Sequence, residues 1–221
     1  MEQQRVIKKD TFTTKTQKNG SQFWYKNGEL HGDYDLPAMI FRDGTKYWFK
    51  DGEQHRDNKD LPAVIYRDGT KEWYQDGERH RDNDLPAVIY RDGTKYWYKD
   101  GELHRDNDLP AAIYKDDSQE WYQNGRLHRD NDLPAEIHTD GTKLWWKNGQ
   151  VHRDNDLPAM IYFSGKKEWY KDGKKYTPLQ KANGKSLTLI LRNLFKAVLN
   201  ACIANPLIRN EKWKPTNKPK M

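Results

Sequence analysis

The sequence has little of what closes a conventional globular domain. It holds a single cysteine, Cys202, so no disulfide can form within the chain. No apolar run reaches the roughly 18 residues that a membrane-spanning helix needs. The nearest, from Leu187 to Ala204, is interrupted by Arg192, Asn193, Lys196 and Asn200. The opening MEQQRVIKKD lacks the apolar stretch of a secretory signal, so the expected location is intracellular, neither secreted nor transmembrane. Apolar residues are scarce as well, 34% against 33% charged, and a large aliphatic core is not expected.

The apolar material is instead aromatic, with nine Trp and thirteen Tyr. Such side chains bury about 150–250 Å² each, so a thin structure can still hide substantial surface. The formal net charge of +6 suggests a nucleic acid or anionic membrane partner only until its distribution is read. Residues 181–221 carry nine Lys or Arg against one Glu, which leaves −2 for residues 1–180. The body of the chain is near neutral and no specific nucleic-acid partner is expected.

Self-similarity dominates that body. Trp24, Trp48, Trp73, Trp97, Trp121, Trp145 and Trp169 recur every 24 residues, with one gap of 25 where Lys59 is inserted. Six of them are followed seven residues later by His31, His55, His80, His104, His128 and His152; Tyr176 takes that place in the seventh unit. Pro37, Pro62, Pro86, Pro110, Pro134 and Pro158 punctuate the repeats, since proline cannot donate to a sheet ladder.

In the cleanest copy, Leu85 to Asp108, two Gly-centred breaks flank a short aromatic run, which is the grammar of a β-hairpin. Asn-Gly or Asp-Gly recurs at the second break in every unit, giving turn glycines Gly28, Gly52, Gly77, Gly101, Gly125, Gly149 and Gly173. The first break is less uniform: Asp116-Asp117-Ser118 and Ser164-Gly165 replace Asp-Gly, and a looser turn is expected in one of them. Each unit then supplies two main strands and a short third, all antiparallel to their neighbours.

Ile40, Ile65, Ile89, Ile113, Ile137 and Ile161 recur after Pro-Ala, whereas the residue before each varies through Met39, Val64, Val88, Ala112, Glu136 and Met160. Glutamate is a poor core residue, which favours burial of the other face. A three-residue first loop with a Gly bulge puts Ala87, Ile89 and Trp97 on one face; a two-residue loop puts Trp97 with Val88 and Tyr90. The bulged register is preferred, with the Trp, Ile and His positions as the repeat core. The opposite face carries a second aromatic row, Tyr25, Phe49, Tyr74, Tyr98, Tyr122, Trp146 and Tyr170, a candidate interaction face. A sheet with aromatics on both faces must curl, dimerise or receive a partner.

The run aromatic-x-Asn/Asp-Gly-x-x-His, as in Tyr25, Asn27, Gly28 and His31, resembles the MORN repeat family, and the first copy has that family's His-Gly pair at His31-Gly32. The resemblance covers about residues 11–180. Arg replaces the Gly after His in later copies, and Leu-Pro-Ala stands where the family often has Gly, so the chain looks like a divergent MORN-like group similar to repeats of giant DNA viruses. The resemblance implies an antiparallel meander and a scaffold or interaction role without catalysis.

Other readings of the motifs are weaker. His-Arg-Asp at His55, His80, His104, His128 and His152 is similar to a kinase catalytic loop, but the Asn needed five residues after Asp is Ala or Pro62 here. Equivalent His in successive units stand two strands apart, about 10 Å, too far to share one zinc. Asp82-Asn83-Asp84 alternates carboxylates as calcium loops do, without the Gly and distal Glu of an EF-hand, and reads as a solvated turn. No catalytic, metal or cofactor residue is assigned. The Trp-Tyr pairs also suit a carbohydrate-binding repeat, a class that acts outside cells.

From Leu187 onward the period becomes helical, with Leu187, Ile190, Leu191, Leu194, Phe195, Val198 and Cys202 on one side, Ser186 as N-cap and Asn205-Pro206 as the stop. The expected organisation is an N-terminal arm (1–10), seven hairpin repeats (11–180), an amphipathic helix (181–208) capping the sheet and a basic tail (209–221). The fold class is an all-β repeat ribbon with one C-terminal capping helix. The expected function is a non-enzymatic scaffold that binds a protein partner or a second copy of itself. The alternatives are a membrane-associated adaptor, contacting lipid through the helix and Lys212, Lys214, Lys218 and Lys220, or the carbohydrate-binding repeat.

Overall fold

A computed structural model describes residues 10–58 and 60–178. The expected helix over 181–208, the tail lysines Lys212, Lys214, Lys218 and Lys220, and the inserted Lys59 lie outside the described residues, as do residues 1–9 of the expected arm. The chain divides into two units, Met1–Thr177 and Pro178–Met221, and the repeats occupy the first.

The described secondary structure is entirely β, and strands join the main sheet in chain order, each antiparallel to the next. Val88–Ile89 pairs with Lys71–Glu72 on one side and Lys95–Tyr96 on the other, and Lys95–Tyr96 then pairs with Ala112–Ile113 of the following repeat. At Trp97 the chain changes partners. The Trp97 amide donates to the Ala111 carbonyl at 2.8 Å, while the Trp97 carbonyl accepts from His104 at 3.1 Å. Tyr98–Lys99 therefore leaves the sheet and pairs with Glu102–Leu103 as a separate small hairpin. The short third strand expected from the sequence is half of that hairpin. Successive hairpins are tied by one backbone–backbone bond, such as Gly125 N–H to the Leu103 carbonyl at 2.9 Å.

Three turns shape each repeat. Arg91-Asp92-Gly93 is the three-residue loop, closed by Tyr90 N–H to Thr94 O (2.9 Å) and Gly93 N–H to Tyr90 O (3.0 Å), with Gly93 at φ 94°. Neither variant copy relaxes: at Asp116-Asp117-Ser118, Asp117 adopts φ 66° and the same two bonds form at 2.9 and 3.0 Å. Aspartate tolerates the left-handed region because its short polar side chain bonds locally. The Ser164-Gly165 copy also closes, with Gly165 donating to Tyr162 O at 2.8 Å. Asp100-Gly101, with φ 49° and 76°, has both central residues left-handed, as a two-residue type I′ hairpin requires. Asn83-Asp84 repeats that backbone at φ 62° and 54° in the loop before Leu85.

The bulged register places Ala87, Ile89 and Trp97 on one face. Continuing the ladder sets Trp97 across from Ala87 on one neighbour and Ala111 on the other. Both alanines are fully buried, as are Ala38, Ala63, Ala135 and Ala159. A larger side chain there would meet the indole, which explains the constant alanine.

Burial of that face alone is overturned. Val64, Val88 and Ala112, on the opposite face, are at most 2% exposed, whereas Ile40, Ile65, Ile89, Ile113, Ile137 and Ile161 are half-buried. Glutamates are buried there too: Glu72 is 5% and Glu168 7% exposed. The chain supplies both covers itself. The His-Arg-Asp-Asn-Asp-Leu-Pro loop lies over each internal Trp, and rings from the small hairpins fold onto the other face.

Candidate functional site

On the loop side, Trp48, Trp73, Trp97, Trp121 and Trp145 are buried, while Trp24 and Trp169 at the ends are half-buried. Each indole N–H from Trp48 to Trp169 donates to an Asp carbonyl thirteen residues earlier, at 2.9–3.3 Å. The five buried rings each carry an arginine guanidinium 3.8–4.0 Å from the ring centroid: Arg56, Arg81, Arg105, Arg129 and Arg153. Such a stack joins ring quadrupole to cation and is strongest when water is excluded.

The same guanidinium ties adjacent repeats. Arg105 grips Asp84 of the preceding loop through Nε (2.7 Å) and Nη2 (2.8 Å), and its Nη1 donates to the Pro110 carbonyl at 3.3 Å. Arg56, Arg129 and Arg153 repeat the two-pronged grip on Asp35, Asp108 and Asp132. The Arg bonds hold the Asp35, Asp84 and Asp108 carboxyls below the usual carboxylate range. Arg81 is the exception: it stacks on Trp73, but its buried Nε has no partner. Its expected mate, Asp60, follows the inserted Lys59, and no bond joins it to Arg81 Nε. Burial lowers the Arg81 pKa.

The six histidines bridge repeats. Each Nδ1 accepts a backbone N–H from the next small turn, as Asp76 to His55 at 3.2 Å and Asn148 to His128 at 3.1 Å. Nε2 faces the Asp two residues on, at 3.0 Å for His31–Asp33 and His104–Asp106. In four of the six, Nδ1 also lies 2.9–3.5 Å from an Asp carboxylate of that turn, as for His31–Asp51 at 3.0 Å and His152–Asp172 at 2.9 Å, so both ring nitrogens are engaged. Every member of the His-Arg-Asp triplet is thus engaged in holding the loop.

The opposite face presents the second aromatic row. Tyr25, Phe49, Tyr74, Tyr98, Tyr122, Trp146 and Tyr170 are all half-buried, one per repeat. Several reach back to the glutamates of the main sheet: Tyr74 Oη donates to Glu72 at 2.8 Å, Tyr122 Oη to Glu120 at 2.8 Å, and Trp146 Nε1 to Glu136 at 3.0 Å. Arg79 adds an ion pair to Glu72 at 3.2 Å. A second tier of rings meets edge to face, Phe23, Phe41, Tyr47 and Tyr66 in one run and Tyr90, Tyr96 and Tyr114 in another, with centroids 5.5–6.1 Å apart. Burial pushes the Tyr74, Tyr114 and Tyr122 phenols well up, and bonds to carboxylates add to the shift.

Sequence reasoning missed three sets of residues. The stacked arginines had a signal: Arg follows His in every unit with a buried Trp, and Gly32 and Thr177 replace it where Trp24 and Trp169 are half-exposed. The buried glutamates had a weaker one, a Tyr or Trp near each. A buried hydroxyl row was the third: Ser21, Thr45, Thr94, Ser118 and Thr142 each accept a backbone N–H from the next repeat at 3.1–3.3 Å.

Among the described residues, no group of three His, Cys, Asp or Glu converges to hold a metal ion, and no helix is long and apolar enough to cross a membrane. No family model matches the chain, and no curated protein matches it. What stands is the geometry itself: an antiparallel meander of tandem β-hairpins, consistent with a MORN-like repeat fold.

Proposed function

We propose that the repeats are a non-enzymatic scaffold that holds a protein partner, or a second copy of the chain, along the aromatic face. The observation that carries this reading is the unbroken row from Tyr25 to Tyr170, one half-buried ring per repeat, with the more exposed Tyr90 at 44% on the same face. Large rings held on a rigid backbone give contact area at little entropic cost, and aromatic side chains are enriched at the energetic centres of interfaces. Hydrogen bonds to Glu72, Glu120 and Glu136 of the main sheet fix Tyr74, Tyr122 and Trp146, so a partner would meet a pre-organised surface. The finer family reading, a divergent MORN-like repeat, agrees with the period and the meander. The membrane reading depends on residues 181–221, which lie outside the described residues.

The test is a photo-crosslinking amino acid at position 90, in cells that make the protein, with Tyr122→Ala plus Trp146→Ala as comparison. The proposal expects one discrete protein adduct, lost in the double variant while its melting transition remains cooperative. No adduct, or an adduct indifferent to the double variant, contradicts it.

A further inference from the structure

The first repeat differs from the internal ones at one place. Trp48, Trp73, Trp97, Trp121 and Trp145 each lie under an arginine of their own repeat, whereas Trp24 has Gly32 at that position. No side chain fits at Gly32, because a Cβ there would fall 1.9 Å from the Leu36 carbonyl oxygen. The space left open is a slot of about 220 Å³, lined by Trp24, His31, Asp33, Leu36, Pro37 and Ile40 and closed by Phe12 and Thr14 of the first strand. Leu36 is 61% exposed against 37–39% for its counterparts, so the slot opens to solvent.

We propose that this slot receives an arginine side chain presented by a partner protein. The chain contains its own template for the fit. In five repeats the equivalent space holds a guanidinium 3.8–4.0 Å from the indole centroid, with Nη1 donating to the following Pro carbonyl at 3.0–3.3 Å. At the first repeat the indole face and the Pro37 carbonyl remain, Asp33, which also meets His31 Nε2 at 3.0 Å, is the lining carboxylate in place of the preceding-loop Asp, and the guanidinium is the missing piece. Among the described residues the Pro37 carbonyl accepts no hydrogen bond, and the Trp24 indole N–H, unlike its six counterparts, has no acceptor. A planar cation that stacks and donates in its own plane satisfies ring and carbonyl together; the compact ammonium of lysine cannot. The slot lies on the loop side and is independent of the aromatic-face proposal.

The test uses the full-length chain labelled with nitrogen-15, titrated with N-acetyl-arginine amide and, separately, N-acetyl-lysine amide. The readout is the nine indole N–H signals, with Trp24 assigned by Trp24→Phe. A saturable shift largest at Trp24, at least about five-fold weaker for the lysine compound, is the expected result, because the five internal indoles are already covered and Trp169 lacks the slot. Asp33→Asn should weaken the arginine response without moving the other indoles. Equal small shifts at all indoles, or none at Trp24, would overturn the proposal. The titration is repeated on Arg5→Ala: a response seen only in that variant would show the slot filled by the chain's own arginine, and would equally overturn assignment to a partner.

Discussion

Arg105 and Asp84 sit 21 residues apart and meet through two hydrogen bonds of 2.7 and 2.8 Å, while the same guanidinium lies 4.0 Å from the centroid of Trp97. The Asp belongs to one repeat and the Arg and Trp to the next, so neither repeat completes its loop-side packing alone. Arg105 is largely buried and Asp84 half-exposed, which keeps the pair's own contribution moderate. Arg105→Ala should cost about 2–4 kcal/mol from lost stacking and charged hydrogen bonds, and Arg105→Lys nearly as much because lysine lacks the planar fork. A double-mutant cycle with Asp84→Asn, read by denaturant melts, should return a coupling of about 1–2 kcal/mol.

The extra residue in the second repeat offers a test in the stabilising direction. Deleting Lys59 restores the 24-residue spacing, gives the loop leading to Asp60 the length it has before Asp84, and should give Arg81 Nε the acceptor it lacks. Relief of a buried unsatisfied donor is worth about 1–3 kcal/mol, so the deletion should raise the melting temperature. An unchanged or lower value would mean that the insertion is accommodated without cost.

Packing between Trp and Ala gives the sharpest core prediction. Trp97→Ala should destabilise by about 3–5 kcal/mol and Ala111→Leu by about 1–3 kcal/mol, since one removes the ring and the other intrudes on it. Gly101→Val places a β-branched residue at φ 76° and should cost at least about 1–2 kcal/mol. Denaturant melts of the three variants check these values.

Stability should fall at both ends of the pH scale, for different groups. The carboxyls of Asp35, Asp84 and Asp108 are lowered by their Arg partners. Their contribution is complete above the unfolded value of about 3.9 and is lost as pH drops below it toward the folded values. The Tyr74, Tyr114 and Tyr122 phenols are raised by burial, so the folded state favours the neutral form. Their contribution is complete below the unfolded value of about 10 and is lost as pH rises through the higher folded values. Through these groups the melting temperature should decline as pH falls below about 4 and as it rises above about 10, with phenolate absorbance of these residues appearing only as the chain unfolds.

Much of this was legible in the sequence because hairpin turns and strand alternation are local. Asp-Gly at positions 92 and 100, and the constancy of Ala87 and Ile89, were enough to set turns and register. What escaped was how the faces are covered, because that depends on contacts between residues about 21 apart, such as Arg105 with Asp84. A loop classed as solvated from Asp82-Asn83-Asp84 turns out to roof Trp97. The rule against buried glutamate failed at Glu72 because Tyr74 and Arg79 satisfy its carboxylate, a compensation visible only once the hairpin folds back.

The central claim is that every repeat is tied to the next through the backbone of its Trp. Amide hydrogen exchange measured residue by residue tests it most directly. The Trp24, Trp48, Trp73, Trp97, Trp121 and Trp145 amides, which donate to Ala carbonyls at 2.8–2.9 Å, should form a 24-residue ladder of slow exchange, with the Asn107 and Asn131 turn tips fast. Uniformly rapid exchange at those Trp positions, or protection running in helical stretches across residues 10–178, would contradict the account.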